Sequence, residues 1–133
     1  AVRDGTIDFI ATDHAPHTRE EKQGNIWTVT GGVSGVEIAL PLLLTEVSRG
    51  HLTLEQVARL MAEGPARVWN LAPWGAIRPG APANLTVADL DRSWVIDEAK
   101  LHGKNNVTAF AGTPVRGAAA ATVVNGRLYR LES

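Results

Sequence analysis

The sequence predicts an α/β chain: residues 1–73 mix strand and helix, and residues 74–133 are mostly β. Three observations carry this. The run Ile7-Asp8-Phe9-Ile10-Ala11 is short, apolar and rich in β-formers, as a buried strand is. Between Val36 and Trp69, apolar residues recur at helical spacing. From Trp74 onward, glycine, proline and short β-runs replace that spacing, so the boundary falls near Pro73 to Gly75.

Each element has its own signal. Pro16, which has no backbone donor, stops the first strand from continuing. Residues 18–35 form a long polar connection with four glycines, a length that suits a functional loop. Val36 to Val47 reads as a helix, with Val36, Ala39, Leu40, Leu43, Leu44 and Val47 on one face. Pro41 either kinks it or marks where it becomes regular, and Gly50 is a suitable stop. Thr53-Leu54-Glu55-Gln56 has the form of a capping box, opening a helix through Val57, Leu60 and Met61. Gly64-Pro65 should end that helix and start a short one reaching Trp69. Leu85 to Ala88, Trp94 to Ile96 and Thr122 to Val124 read as strands. Asn125-Gly126 is a two-residue hairpin turn leading into a return strand, Arg127 to Leu131.

Composition excludes several classes. With 133 residues and 44% hydrophobic content, the chain can bury one modest core but is too short for a complete barrel enzyme, which needs roughly 250 residues. The net charge of -1 gives no basic excess for nucleic acid. The longest apolar run, near Val36 to Leu44, is too short for a membrane span and contains Glu37 and Pro41. No leader segment is visible, so the expected location is the cytoplasm. There is no cysteine, so a transition metal would be held by His, Asp, Glu or backbone oxygen. The chain opens on Ala1 and enters its first strand almost at once, which suggests a C-terminal piece of a longer polypeptide.

Asp13, His14 and His17 form the one dense cluster of potential ligands. A carboxylate at a strand end can bind a metal through one oxygen and take a proton from water with the other. His17 could donate to an anionic group of a substrate. The same residues also suit an ordinary turn or helix cap. If the strand continues, His14 points away from Asp13, toward packing or a supporting hydrogen bond. His51 and His102 stand alone and suit surface or cap positions; Glu20, Glu21 and Lys22 form a solvated stretch that could order the loop. Trp27 suits a substrate path or a loop anchor, and Trp69, Trp74 and Trp94 suit a core or an interface.

Residues 7–17, followed by Glu20-Glu21-Lys22, resemble the strand-eight signature of dihydroorotases in the amidohydrolase superfamily. Gly32, Gly35-Val36-Glu37, Ala39-Leu40-Pro41-Leu42, Gly64-Pro65-Ala66-Arg67 and Leu71 resemble the blocks that follow. So do Gly75 to Leu85, Gly103-Lys104-Asn105, Phe110, Gly112 and Val124-Asn125-Gly126-Arg127. Thr30 stands where that family often has proline, and Asn84 where it usually has aspartate.

The resemblance implies a C-terminal fragment of a (β/α)8 amidohydrolase barrel, its last strand and helices, followed by part of a small β-sandwich domain. It implies that Asp13 binds zinc and shuttles a proton, that His17 holds the substrate carboxylate, and that the Gly32 backbone amide helps hold the same substrate. A binuclear zinc centre is implied, with its His-x-His pair, bridging lysine and further histidines upstream of Ala1; the isolated chain is therefore expected to be inactive. The implied reaction interconverts N-carbamoyl-L-aspartate and L-dihydroorotate in pyrimidine biosynthesis. The implied partners are this small molecule, the rest of the barrel, and a second copy or an aspartate transcarbamoylase. The alternatives are an allantoinase or hydantoinase, a non-catalytic subunit scaffolding a transcarbamoylase, and a plain β-rich module.

Overall fold

A computed structural model describes residues 1–103, 105 and 107–131; Lys104, part of one block of the resemblance, lies outside them. Three helices precede a three-stranded antiparallel sheet: α1 (Ala39–Ser48), α2 (Leu54–Ala58), α3 (Gly64–Val68), β1 (Leu85–Val95), β2 (Pro114–Val124) and β3 (Arg127–Arg130). The strand order is β1-β2-β3.

Pro41 does not kink α1. It is the third helical residue, where an N–H would have no intrahelical partner, so nothing is lost. Gly50 follows the helix at φ +75, the left-handed stop that its sequence position suggests. The capping box at α2 forms as expected: the Thr53 hydroxyl accepts from the Gln56 N–H at 3.2 Å, and Gln56 Oε1 accepts from the Thr53 N–H at 2.8 Å. Gly64-Pro65 does not break the chain's helical course as expected. A π-helical turn, Arg59–Glu63, joins α2 to α3, and the Gly64 N–H reaches back five residues to the Arg59 carbonyl. That slip leaves Pro65 in the first turn of α3, where its missing donor is tolerated.

Residues 7–11 are the main departure from expectation. They form no strand, and Ile7, Phe9 and Ile10 are only half-buried. A strand exists by its ladder, and here the segment lies against helix: the Ile10 N–H donates to the Leu60 carbonyl at 3.0 Å. Gly64 has no room for a Cβ, which would collide with the Asp8 carbonyl and lie 3.1 Å from Phe9 Cβ. Phe9 in turn meets Trp69, with ring centroids 4.7 Å apart.

The sheet is longer than its sequence signals. Leu85 to Ala88 and Trp94 belong to one strand, β1, whose pairing with β2 shifts between Asp89 and Ser93. There the Asp89 carboxylate accepts from the Asp91 and Arg92 N–H groups at 2.9 and 3.3 Å, turning the backbone out of the ladder. In β2 the alanines and Gly117 conceal a strand of which only Thr122 to Val124 show β-composition. The small residues are there for helix packing. A Cβ on Gly117 would sit 2.6 Å from Leu44 Cβ, so α1 lies directly on β2. The Thr45 hydroxyl locks the contact, donating to Pro41 O at 2.8 Å and accepting from the Arg116 N–H at 2.8 Å. Asn125 and Gly126, at φ +49 and +80, make the expected hairpin turn. Asn84 Oδ1 accepts from the Asn125 N–H at 2.9 Å, a structural role at the position where the resembled family has aspartate.

Ile38, Ile96 and Val115 form the buried centre, with Leu42, Trp94 and Leu101 packed around it. Trp94 also donates through its indole N–H to the Gly117 carbonyl at 3.2 Å. Trp69 and Trp74 are not part of this core; both stay half-exposed. Among the described residues no helix is long and apolar enough to cross a membrane.

Candidate functional site

Two loops meet ahead of α1. Residues 12–17 lie beside residues 32–36, joined by a parallel bridge between His14 and Val33 and by the Ala15 N–H donating to the Val33 carbonyl at 3.1 Å. Glycine permits the approach. Gly32, at φ +105, would carry a Cβ 2.6 Å from Ala15 Cβ and 2.9 Å from the Ala15 carbonyl oxygen. Gly35 would bring a Cβ to 3.3 Å from Thr12 Cβ. Gly32 is therefore pressed against Ala15, midway along the chain between Asp13 and His17.

Asp13 is exposed and adopts φ +44, a left-handed conformation uncommon outside glycine. His14 Nδ1 accepts from the Gly35 and Val36 N–H groups at 3.1 and 3.2 Å. Two donors on Nδ1 place the ring proton on Nε2. His14 thus holds the turn that leads into α1, which is the supporting hydrogen-bond role open to it from sequence.

His17 is half-buried, and its Nδ1 lies 3.3 Å from Glu21 Oε2. A carboxylate only accepts, so Nδ1 donates to Glu21, and Nε2 can donate as well only when the ring is the imidazolium. Glu21 is itself fixed. Its Oε2 accepts from the Thr18 N–H at 2.8 Å, while the Thr18 hydroxyl accepts from the Glu21 N–H at 3.2 Å. Lys22, on the same turn, donates from Nζ to the Thr30 carbonyl at 2.8 Å and to the Gly32 carbonyl. Of the two readings open to Glu20-Glu21-Lys22, Glu21 and Lys22 take the second and order the loop. The legible signal was Thr18-Arg19-Glu20-Glu21, the same box pattern recognised at Thr53. The Lys22 bonds had no such signal, since they depend on where Thr30 and Gly32 fold back. The Trp27 side chain is 91% exposed among the described residues, while Asn25 Oδ1 holds its backbone N–H.

A third segment braces this pair of loops. Arg19 donates to Glu98 Oε2 at 2.8 Å, and Glu98 Oε1 accepts from the Thr108 N–H at 2.9 Å. The Thr108 bond and then the Arg19 guanidinium hold the Glu98 carboxyl below its ordinary range. The buried Ser34 hydroxyl donates to the Asn105 carbonyl at 2.5 Å. His102 lies on the surface, as its sequence position suggests, with its Nδ1 and backbone N–H on the two oxygens of Glu37 at 2.8 and 2.6 Å. His51 pairs on the surface with Glu46 at 2.7 Å.

Among the described residues no three His, Cys, Asp or Glu side chains converge to hold a metal. Asp13 is a single free carboxylate, while His14 is engaged by backbone and His17 by Glu21. A catalytic zinc site takes about three protein ligands, so this donor set alone does not fit one.

The segment carrying Asp13 and His17 is thus pressed on a glycine loop and braced from the β-rich part. Residues 1–129 match the amidohydrolase family, and the chain belongs to that family. It is 41% identical over 131 residues to a dihydroorotase of Syntrophus aciditrophicus, covering 98% of this chain and 30% of that protein. It is 45% identical over 126 residues to a dihydroorotase of Halalkalibacterium halodurans, covering 94% and 29%. Its structure is similar to an L-hydantoinase (dihydropyrimidinase) from Arthrobacter aurescens, with a TM-score of 0.91, 31% identity, and coverage of 99% of this chain and 32% of that one. A D-hydantoinase from Thermus sp. matches with a TM-score of 0.91 at 26% identity, covering 100% and 31%. The chain thus spans about a third of the length of the relatives it matches.

Proposed function

We propose that the chain serves a dihydroorotase, interconverting L-dihydroorotate and N-carbamoyl-L-aspartate in pyrimidine biosynthesis in the cytoplasm. The observation that carries this reading is the packing of the Asp13–His17 turn on Gly32, in a chain whose curated relatives are named dihydroorotases.

In this reading Asp13 supplies one carboxylate ligand to zinc, in a centre that is binuclear in the complete enzyme, and the remaining ligands come from outside residues 1–133. Bound zinc would supply Lewis acidity toward the amide carbonyl and acidify water. The chain's own residues do the rest. Asp13 accepts a proton from the attacking water as the C–O bond forms. It returns that proton to the amide nitrogen as the C–N bond breaks. His17, as the imidazolium with its other N–H on Glu21, donates from Nε2 to the substrate carboxylate, and the Gly32 N–H donates to the same group. Residues 1–73 act as barrel and residues 74–133 as a composite β domain. The partners are the small-molecule substrate, the rest of the barrel, and a second copy or an aspartate transcarbamoylase.

The test is zinc-supplemented hydrolysis of dihydroorotate by this chain, and by the chain joined to an upstream barrel, each with Asp13→Ala. The expected result is no turnover by the chain alone and Asp13-dependent turnover by the joined protein. Turnover by the chain alone would overturn the requirement for outside ligands. A joined protein indifferent to Asp13 would overturn its role.

A hydantoinase-type reading has one observation in its favour, the close superposition on L-hydantoinase. A preference of the joined protein for hydantoins over dihydroorotate would decide for it.

A further inference from the structure

We infer that Glu21 and Lys22 are positioning residues of the substrate-carboxylate subsite, Glu21 acting through the His17 ring and Lys22 through the Gly32 loop; this rests on the proposed roles of His17 and Gly32.

The two side chains leave one short turn in different directions. Glu21 Oε2 is held at 2.8 Å by the Thr18 N–H and stands 3.3 Å from His17 Nδ1. The anchor matters because a free carboxylate on the surface would sample many positions, whereas one fixed by its own backbone offers His17 a single acceptor. With Nδ1 directed there, Nε2 points to the opposite side of the ring. Lys22 spans the loop and satisfies two carbonyls, of Thr30 and Gly32. Holding the Gly32 carbonyl also fixes the peptide plane on that side of Gly32. The Gly32 Cα is already confined by Ala15. The Thr30 N–H closes the loop on the Glu21 carbonyl at 3.4 Å. One turn therefore orients the His17 ring, whose Nε2 donates in the imidazolium form, and pins the Thr30 and Gly32 carbonyls on either side of the Gly31–Gly32 peptide, whose N–H is the second donor.

The experiment uses the joined, active protein. Inhibition constants are measured for orotate, which carries the carboxylate, and for uracil, the same ring without it, alongside kinetics with dihydroorotate. Glu21→Ala should raise the orotate constant and the dihydroorotate KM about tenfold, as loss of an orienting charged hydrogen bond does. It should leave kcat and the uracil constant within about twofold. Glu21→Gln keeps an oxygen acceptor and should recover most of the loss, which keeps the test decisive should the alanine variant fold poorly. In a His17→Ala background Glu21→Ala should add nothing further, whereas Lys22→Met should weaken orotate binding in both backgrounds.

Orotate binding unchanged in Glu21→Ala but weakened in His17→Ala would overturn the positioning role while the proposed function stands. Orotate binding unchanged in His17→Ala would overturn the proposed function and this inference with it. Equal losses for orotate and uracil would also overturn the inference, since they would mark a general structural role.

Discussion

Gly32→Ala offers the sharpest check on the geometry of the site. The substitution adds one methyl group at φ +105, where an L side chain costs about 1–3 kcal/mol. That methyl would stand 2.6 Å from Ala15 Cβ and 2.9 Å from the Ala15 oxygen. Carbon atoms settle at about 3.5–4.0 Å, so the two loops must part by about 1 Å. A displacement of about 1 Å in substrate-positioning groups costs about a hundredfold in rate. The joined protein carrying Gly32→Ala should therefore lose about a hundredfold in kcat/KM for dihydroorotate and about 2–4 kcal/mol of stability in urea denaturation. The neighbouring Gly31 is the matched control, because a Cβ there meets nothing within 4 Å and its φ is not in the left-handed region. Gly31→Ala should stay within about 0.5 kcal/mol and leave kcat/KM unchanged. Adding Ala15→Gly to Gly32→Ala should rescue only part of the loss, since the carbonyl contact and the backbone strain remain. Equal behaviour of the Gly31 and Gly32 variants would refute the close packing of these loops.

Three further outcomes follow from the packing. Thr45→Val keeps the shape of the side chain but leaves the Arg116 N–H without its 2.8 Å acceptor between α1 and β2, and should cost about 1–3 kcal/mol in urea denaturation. Gly117→Ala drives a methyl into Leu44, and truncation at Leu44→Ala should relieve part of that cost, read as a non-additive double-mutant cycle. Glu98 has its carboxyl depressed by the Thr108 N–H and Arg19, so its stabilisation is present above the ordinary carboxylate range and is lost as pH falls through the lowered value. Urea midpoints at neutral and acid pH should draw closer in Glu98→Gln than in the parent protein.

Local chemistry was legible in the sequence. The capping box at Thr53, the stop at Gly50 and the Asn125-Gly126 turn depend on a few adjacent residues, and each formed as expected. That Asp13 and His17 lie four residues apart in one loop is read directly off the sequence, and a supporting role for His14 was legible there too. The long strand β2 was not, because its alanines and Gly117 answer to Leu44 of a distant helix rather than to β-propensity. Residues 7–11 show the converse: the composition says strand, but without a ladder beside them they pack on helix instead. The Glu21 contact with His17 was not legible because it needs the fold-back of the turn, nor were the Lys22 bonds, whose acceptors lie eight and ten residues away. The sequence by itself determined turns and caps, since those are set by contacts within a few residues, and it named Asp13, His17 and Gly32 as the candidates for chemistry. Only the tertiary structure decided which loops touch, because the required small residues, such as Gly32 against Ala15, are recognisable only once their opposite numbers are in place.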